Sequence, residues 1–341
     1  MNETGASSGT LIALTGATGF LGSHVADRLV ARGYRVRASV RTTSDLRWLR
    51  GKPIETVEIS LAPSAPGSQD NQQLDRFLDG VSGVIHCAGV VRAPTESGYI
   101  QGNVDTTRAL LQAASRQSSC ETFLLVSSLA AAGPAPPQTP LVESAPCAPI
   151  TAYGRSKLAA EELLADPSLQ LRTVILRPPA LYGPRDSAFL PLFKLARAGW
   201  TVKIGHTMAG LSLVDGRDAA AAAVTLLETT SATGPFFVDD GFIHTWADMT
   251  AALALAFRRR VRTVTIPWGL LGFLARLVGS QRAQRLPVLH PDRMRDVAAP
   301  GWVCSGAKLR QETDWLPQRD LNTGFRETLE FYVRNGWLHA S

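Results

Sequence analysis

The chain has 341 residues, enough for one large α/β unit carrying a smaller lobe. With 45% apolar and 19% charged residues its composition is that of an ordinary soluble globular protein. The net charge of +6 comes from scattered Lys and Arg with one short run, Arg258-Arg259-Arg260; no basic stripe interleaves with aromatics, which argues against nucleic acid and fits a phosphate-bearing ligand.

Residues 1–9 are small and polar, read as a flexible tail, and carry no signal peptide. β-rich runs at 10–15, 35–40, 56–59, 83–87, 122–127 and 171–177 then alternate with helical patterns at 22–32, 74–78, 106–115 and 157–165. This alternation predicts a parallel sheet covered on both faces, with ligands beyond the carboxyl ends of its strands. Two Pro-rich loops, 62–70 and 133–149, interrupt it, and the longer precedes Tyr153. After Arg177, Pro178-Pro179 stops the pattern. Residues 178–341 are expected to form a smaller substrate lobe, interleaved with the 10–177 unit through elements near 211–240 that include a returning strand at 235–238. The greasy stretch 266–279 contains Arg276 and is too short to span a bilayer. It reads as a buried or lid helix, with peripheral contact to lipid or a hydrophobic substrate as the alternative. Cys87, Cys120, Cys147 and Cys304 lack the spacing of a zinc or redox pair, and the six histidines lack metal-ligand spacing, so no metal site and a reducing, cytoplasmic setting are expected.

The segment from Thr15 to Gly22 (TGATGFLG) follows a strand and opens a helix. Gly16 permits a tight turn, Gly19 lets backbone approach a pyrophosphate, and Gly22 allows the helix to pack close to the sheet. The N–H groups at the helix start face the phosphates, which makes Gly16, Thr18, Gly19, Phe20, Leu21 and Gly22 the candidate cofactor-binding set. No acid occurs between Val36 and Ser44, whereas Arg41 follows the second strand. An Arg here suits the 2′-phosphate of NADP, so NADP(H) is expected over NAD(H); the alternative is a solvated Arg41, with Asp45 as the acidic partner of a ribose hydroxyl.

Tyr153 and Lys157 are four residues apart on a helical pattern, hence on one face. An ammonium beside a phenol favours phenolate and readies it for proton exchange with an alcohol or ketone. Ser127-Ser128 ends the fifth predicted strand, where a hydroxyl can bond a reacting oxygen.

Taken in order, these motifs resemble the extended short-chain dehydrogenase/reductase family, which includes nucleotide-sugar epimerases, dehydratases, dihydroflavonol reductases and 3β-hydroxysteroid dehydrogenases. The likeness runs from Leu11 to about Leu338. It rests on the glycine motif, on His86-Cys87-Ala88-Gly89, on Asn103-Val104, on Ser127-Ser128, on Tyr153-Gly154-Arg155-Ser156-Lys157, on the segment from Arg177 to Pro184, and on Leu213-Val214-Asp215. It implies a Rossmann-type doubly wound parallel sheet with a C-terminal substrate lobe, and often a homodimer. By this resemblance Tyr153 is the acid/base, Lys157 binds the nicotinamide ribose, Ser128 orients the substrate oxygen and Asn103 supports a proton relay; Ala88, Gly89 and Pro178 join the cofactor set. Two departures stand out: Ser60-Leu61 replaces the family's Asp-Leu near adenine, and the His of its VHVxD motif is absent. Sugar-nucleotide members carry an Arg about seven residues before the Asp of that motif. Here that position is Met208, with His206 a weaker anion partner nearby. Leu181, Phe189, Leu192, Phe193, Met208 and Leu211 are read as a greasy lobe, in part pocket wall and in part core, favouring an apolar alcohol or ketone of steroid, terpenoid or flavonoid type. The alternatives are a nucleotide-sugar epimerase or dehydratase with tightly held NAD, and a non-catalytic NADP-sensing regulator.

Overall fold

The computed structural model describes residues 9–61, 69–205, 209–267, 269 and 291–339. Most of the tail and of the loop at 62–70, along with His206, Met208 and nearly all of 266–279, lie outside the described residues.

Seven parallel strands form the main sheet in the order β10-β6-β5-β4-β1-β2-β3. They are β1 (Leu11–Thr15), β2 (Arg35–Val40), β3 (Ile54–Glu58), β4 (Gly83–His86), β5 (Thr122–Val126), β6 (Arg172–Arg177) and β10 (Gly234–Phe237). Every residue of β1, β4 and β5 is buried, as continuous apolar runs between two helical layers must be. The order in which strands are added reverses between β1 and β4, and the crevice beyond their carboxyl ends is the ligand position of such sheets. Helices α1 (Phe20–Ala31), α2 (Gln69–Leu78), α4 (Thr106–Ser115) and α6 (Ala152–Glu162) cover it, joined by the short α3 (Glu96–Tyr99) and α5 (Leu129–Ala132).

The helical run at 157–165 begins five residues after the start of α6, whereas the Tyr153–Lys157 spacing does call for helix from Tyr153 on. The start of α6 is set by Thr151, whose Oγ1 accepts from the Gly154 N–H at 3.0 Å. The third strand likewise begins two residues earlier than its β-rich run. The expected return to the sheet is β10, one residue displaced from 235–238. Before it, α8 (Gly216–Glu228) packs against α1, its alanines Ala219, Ala220, Ala222 and Ala223 in the main core.

The other elements after β6 are α7 (Leu190–Arg197), α9 (Trp246–Phe257), a three-stranded sheet of β7 (Ala180–Tyr182), β9 (Leu211–Asp215) and β11 (Ile243–His244), a two-stranded ribbon of β8 (Trp200–Ile204) and β12 (Arg262–Ile266), and the helices Pro291–Ala298, Ala307–Glu312 and Leu321–Arg334. Their core is aromatic. Tyr182, Phe193, Phe325 and Tyr332 are almost wholly buried, with ring centroids 5.1–5.3 Å apart from one to the next. The greasy residues of the sequence reading divide on this point. Phe193 is core, and Phe189, Leu192 and Leu211 pack against it partly buried, while Leu181 packs against the main-sheet core. Each of these five thus packs into one of the two cores, a role that calls for the same residue types as a pocket lining.

Candidate active site

Thr15 ends β1, and its hydroxyl lies 2.6 Å from His86 Nδ1 and accepts from the Ala88 N–H at 3.2 Å, tying the tips of β1 and β4 together. His86 Nε2 reaches Thr107 Oγ1 at 3.1 Å. The ring is fully buried, and burial drives its pKa down to about 3, so it stays neutral and acts as a strut. Gly16 turns the chain with φ +70°, and a Cβ there would lie 2.7 Å from the Ala88 nitrogen. A Cβ on Gly22 would lie 2.1 Å from the Gly16 carbonyl oxygen, so neither position admits a side chain. Helix α1 begins at Gly19 with no side-chain cap, leaving its first N–H groups facing the crevice. This backbone cradle, with Thr18 and Phe20 half-buried and Leu21 buried beside it, fits a dinucleotide pyrophosphate. The Phe20 ring also closes on α8: a Cβ on Gly216 would fall 2.5 Å from it.

Arg41 lies exposed just past β2, in a turn closed by Ser44, whose Oγ accepts from the Arg41 N–H at 2.9 Å while its own N–H donates to the Arg41 carbonyl at 2.8 Å. Asp45 is engaged elsewhere. Arg47 donates to it through its backbone N–H (2.9 Å) and its guanidinium (2.5 Å), which holds the carboxyl below its usual range. Ser60 is exposed beyond β3.

At the other end of the crevice, α6 carries Tyr153, Lys157 and Glu161 on successive turns of one face. Gly154 decides how close that face comes to the sheet, since a Cβ there would lie 2.3 Å from the Ala130 carbonyl oxygen of α5. Ser128 caps α5, accepting from the Ala130 N–H at 3.1 Å, and its hydroxyl lies close enough to the Tyr153 phenol to lower that group's pKa. Burial outweighs this and raises the Tyr153 pKa, and Tyr99 and Asp296 add to the rise. Lys157 donates to the Val126 carbonyl at 2.6 Å, and its ammonium lies 3.7 Å from where a Gly89 Cβ would be. Burial lowers its pKa to about 8, against the raising pull of Glu161 and then Cys87.

Asn103 lies in a π-helical turn, Ile100–Asp105. Its amide accepts from the Val90 N–H (2.7 Å) and donates to the Val90 carbonyl (3.0 Å) and to Ser156 Oγ (2.9 Å), which donates in turn to the Tyr153 carbonyl (2.7 Å). Asn103 therefore braces the Tyr153 turn and the strand-4 loop together. Pro178 is buried after β6, its carbonyl accepting from the Leu129 N–H at 2.8 Å. Thus the glycine turn, Ala88, Gly89, Asn103, Ser128, Tyr153, Lys157 and Pro178 gather along one edge of the sheet, and Arg41 lies past the neighbouring strand tip.

The sequence reading did not pick out the support beneath them. Glu161 is buried and receives Arg177 through Nε at 3.1 Å and Nη2 at 2.5 Å, and the Ser127 hydroxyl also donates to it. Tyr99 flanks Tyr153 with ring centroids 6.2 Å apart. Helix Pro291–Ala298 brings Asp296, held at its carbonyl by the Trp302 indole (2.9 Å). The local signal for Glu161 was its place one turn past Lys157; nothing in the sequence tied it to Arg177.

The profile of the NAD-dependent epimerase/dehydratase family matches residues 12–237. The chain is 30% identical to ceramide reductase of Caulobacter vibrioides, the match covering 96% of both proteins. It is 27% identical to sterol-4-alpha-carboxylate 3-dehydrogenase, decarboxylating, of Dictyostelium discoideum, over 67% of this chain and 70% of that one. Among solved structures, UDP-glucose 4-epimerase of Thermus thermophilus in complex with NAD superposes with a TM-score of 0.75 at 21% identity, covering 95% of this chain and 99% of that one. This chain belongs to the NAD-dependent epimerase/dehydratase family, within the extended short-chain dehydrogenases/reductases.

Proposed function

We propose that the protein is an NADP(H)-dependent reductase of an apolar ketone, with residues 10–177 and the returning α8 and β10 holding the dinucleotide and residues 178–341 otherwise carrying the substrate side. What carries this reading is the proximity of the Ser128 and Tyr153 hydroxyls, with Lys157 one turn further along the same face of α6 and held to the Val126 carbonyl at 2.6 Å. A nicotinamide dinucleotide held by the glycine turn, Ala88, Gly89 and Lys157 would supply hydride chemistry at the carbonyl carbon. Tyr153 gives its phenolic proton to the carbonyl oxygen, completing the alcohol, and Ser128 bonds that oxygen as charge builds on it. Lys157, cationic below its pKa of about 8, stabilises the phenolate left behind. The raised pKa of Tyr153 keeps it protonated at neutral pH, which suits a proton donor and hence the reducing direction.

Arg41, with Asp45 occupied by Arg47, supports NADP(H) through its fit to a 2′-phosphate. The substrate class is supported by the end-to-end likeness to a ceramide reductase and the partial likeness to a sterol dehydrogenase. Met208 at the position of the sugar-nucleotide Arg weighs against epimerisation. The test is oxidation of NADPH and of NADH, followed by absorbance, with long-chain 3-oxo amides, 3-oxo steroids and small polar ketones. Faster NADPH oxidation with the long-chain or steroid ketones is expected. Epimerisation of UDP-glucose without net cofactor turnover would contradict the reading.

A further inference from the structure

The basic charge of this chain is unevenly placed. Residues 187–214 and 249–291 contain no Asp or Glu, yet hold ten of the 35 Lys and Arg, so the rest of the chain has 25 cations against 29 acids. The fold joins these two acid-free stretches. β8 pairs in parallel with β12, setting Trp200 beside Arg262 and Val202 beside Val264. The Arg259 guanidinium donates to the Arg197 carbonyl, and the Gly199 carbonyl accepts from the Arg262 N–H at 2.9 Å.

Strand alternation gives this ribbon two unlike faces. On one, Thr201 and Thr263 exchange hydrogen bonds with Thr250 of α9 at 3.0–3.2 Å, fixing that face against the protein. The other carries Trp200, Val202 and Ile204 beside Arg262, Val264 and Ile266, with Trp200 and Val264 each 44% exposed. Flanking it in the chain are Lys194 and Arg197 from one stretch and Arg258, Arg259 and Arg260 from the other, while Lys203 shares the Thr201 face. Among the described residues none of these cations, nor Arg262, has a carboxylate partner, whereas Arg32, Arg116, Arg155, Arg217 and Arg319 elsewhere on the chain are all paired.

We propose that the outer face of the β8–β12 ribbon, with its surrounding Lys and Arg, docks on an anionic phospholipid bilayer. Unpaired cations next to a leaflet of negative headgroups supply attraction, and the indole with its aliphatic neighbours enters the headgroup–acyl boundary, where tryptophan is favoured. The aliphatic character of the face separates this partner from a nucleic acid, whose contacts call for stacking rings and polar donors. The surface is independent of the catalytic reading. If both hold, it would place the enzyme at the phase in which an apolar substrate resides.

Flotation of the full chain with vesicles of phosphatidylcholine, alone or mixed with phosphatidylglycerol, tests this at low and high salt. The chain is expected to float with the mixed vesicles only and to be released by salt. At about 1 kcal/mol per surface Arg, the variant R259Q/R260Q/R262Q should bind about a hundredfold more weakly. W200S should weaken binding with the salt dependence intact, and thermal melting of both variants checks that they fold. Absence of flotation with the mixed vesicles, equal flotation with phosphatidylcholine alone, or unchanged binding by a folded triple variant would each overturn the proposal. So would capture by duplex DNA without vesicle binding, which would assign the surface to nucleic acid.

Discussion

Gly154 stands in sequence between the phenol and the amine, and its missing side chain lets both reach the sheet. A Gly154→Ala methyl would meet the Ala130 carbonyl at 2.3 Å, and backbone on both sides prevents easy relief. Overpacking of this kind costs about 1–3 kcal/mol, and here it moves Tyr153 away from Ser128. Gly154→Ala is expected to lower kcat at least tenfold with cofactor affinity within about twofold of the parent, read by steady-state kinetics and fluorescence titration. Arg41 gives a second residue-scale expectation. Its guanidinium is exposed, so Arg41→Asp should leave the melting temperature unchanged while removing the fork for a 2′-phosphate. The kcat/KM for NADPH should fall at least tenfold and that for NADH should not; equal loss with both cofactors would count against the assignment.

At the scale of elements, α6 is anchored from below by a buried ion pair. Glu161 receives Arg177 and Ser127, and Ser127 adjoins Ser128, so the network links the helix of Tyr153 and Lys157 to the strand tip of the third hydroxyl. Glu161→Gln leaves a buried guanidinium unpaired, a change that costs about 3–5 kcal/mol, measurable by denaturant unfolding. It also removes the charge that raises the Lys157 pKa, so the alkaline limb of the pH–rate profile, set near 8, should move downward. A uniform loss of activity at every pH would mean that the pair only stabilises the fold. Much of this architecture was readable beforehand because its signals are local. The glycine turn needs strand, turn and helix within a dozen residues, and Tyr153 and Lys157 share a face by helical spacing alone. The unread parts depend on contacts between distant segments. Arg177 finds Glu161 only once β6 and α6 are packed. The π-helical turn that presents Asn103 has no periodic signature, though Gly102, where a Cβ would strike the Val90 side chain at 2.2 Å, marks the close approach. The start of α6 has a local signal of its own in Thr151, a capping residue just ahead of Ala152.

For the whole molecule, two neutral histidines tie the sheet to its surroundings. His86 joins β1, β4 and α4, and His24 on α1 lies 2.8 Å from the Pro184 carbonyl. Burial lowers their pKa values to about 3 and about 4 from 6.5. Between those values and 6.5 the unfolded chain binds protons that the folded chain does not, so stability rises with pH in that window and is lost as pH falls through it. By pH 5 each histidine should cost about 2 kcal/mol relative to pH 7. Denaturant unfolding at the two pH values checks this, and His24→Asn should remove about half of the difference. The central claim is that the Tyr153 phenol carries the proton for a hydride transfer at the open end of the glycine turn. Its most direct test is single-turnover oxidation of bound NADPH by a ketone substrate in Tyr153→Phe, with NADPH affinity measured on the same preparation. The account predicts unchanged affinity and a hydride-transfer rate lower by about 10²–10⁴-fold, the usual worth of a positioned acid. Transfer at the parent rate in a variant that binds NADPH normally would contradict it.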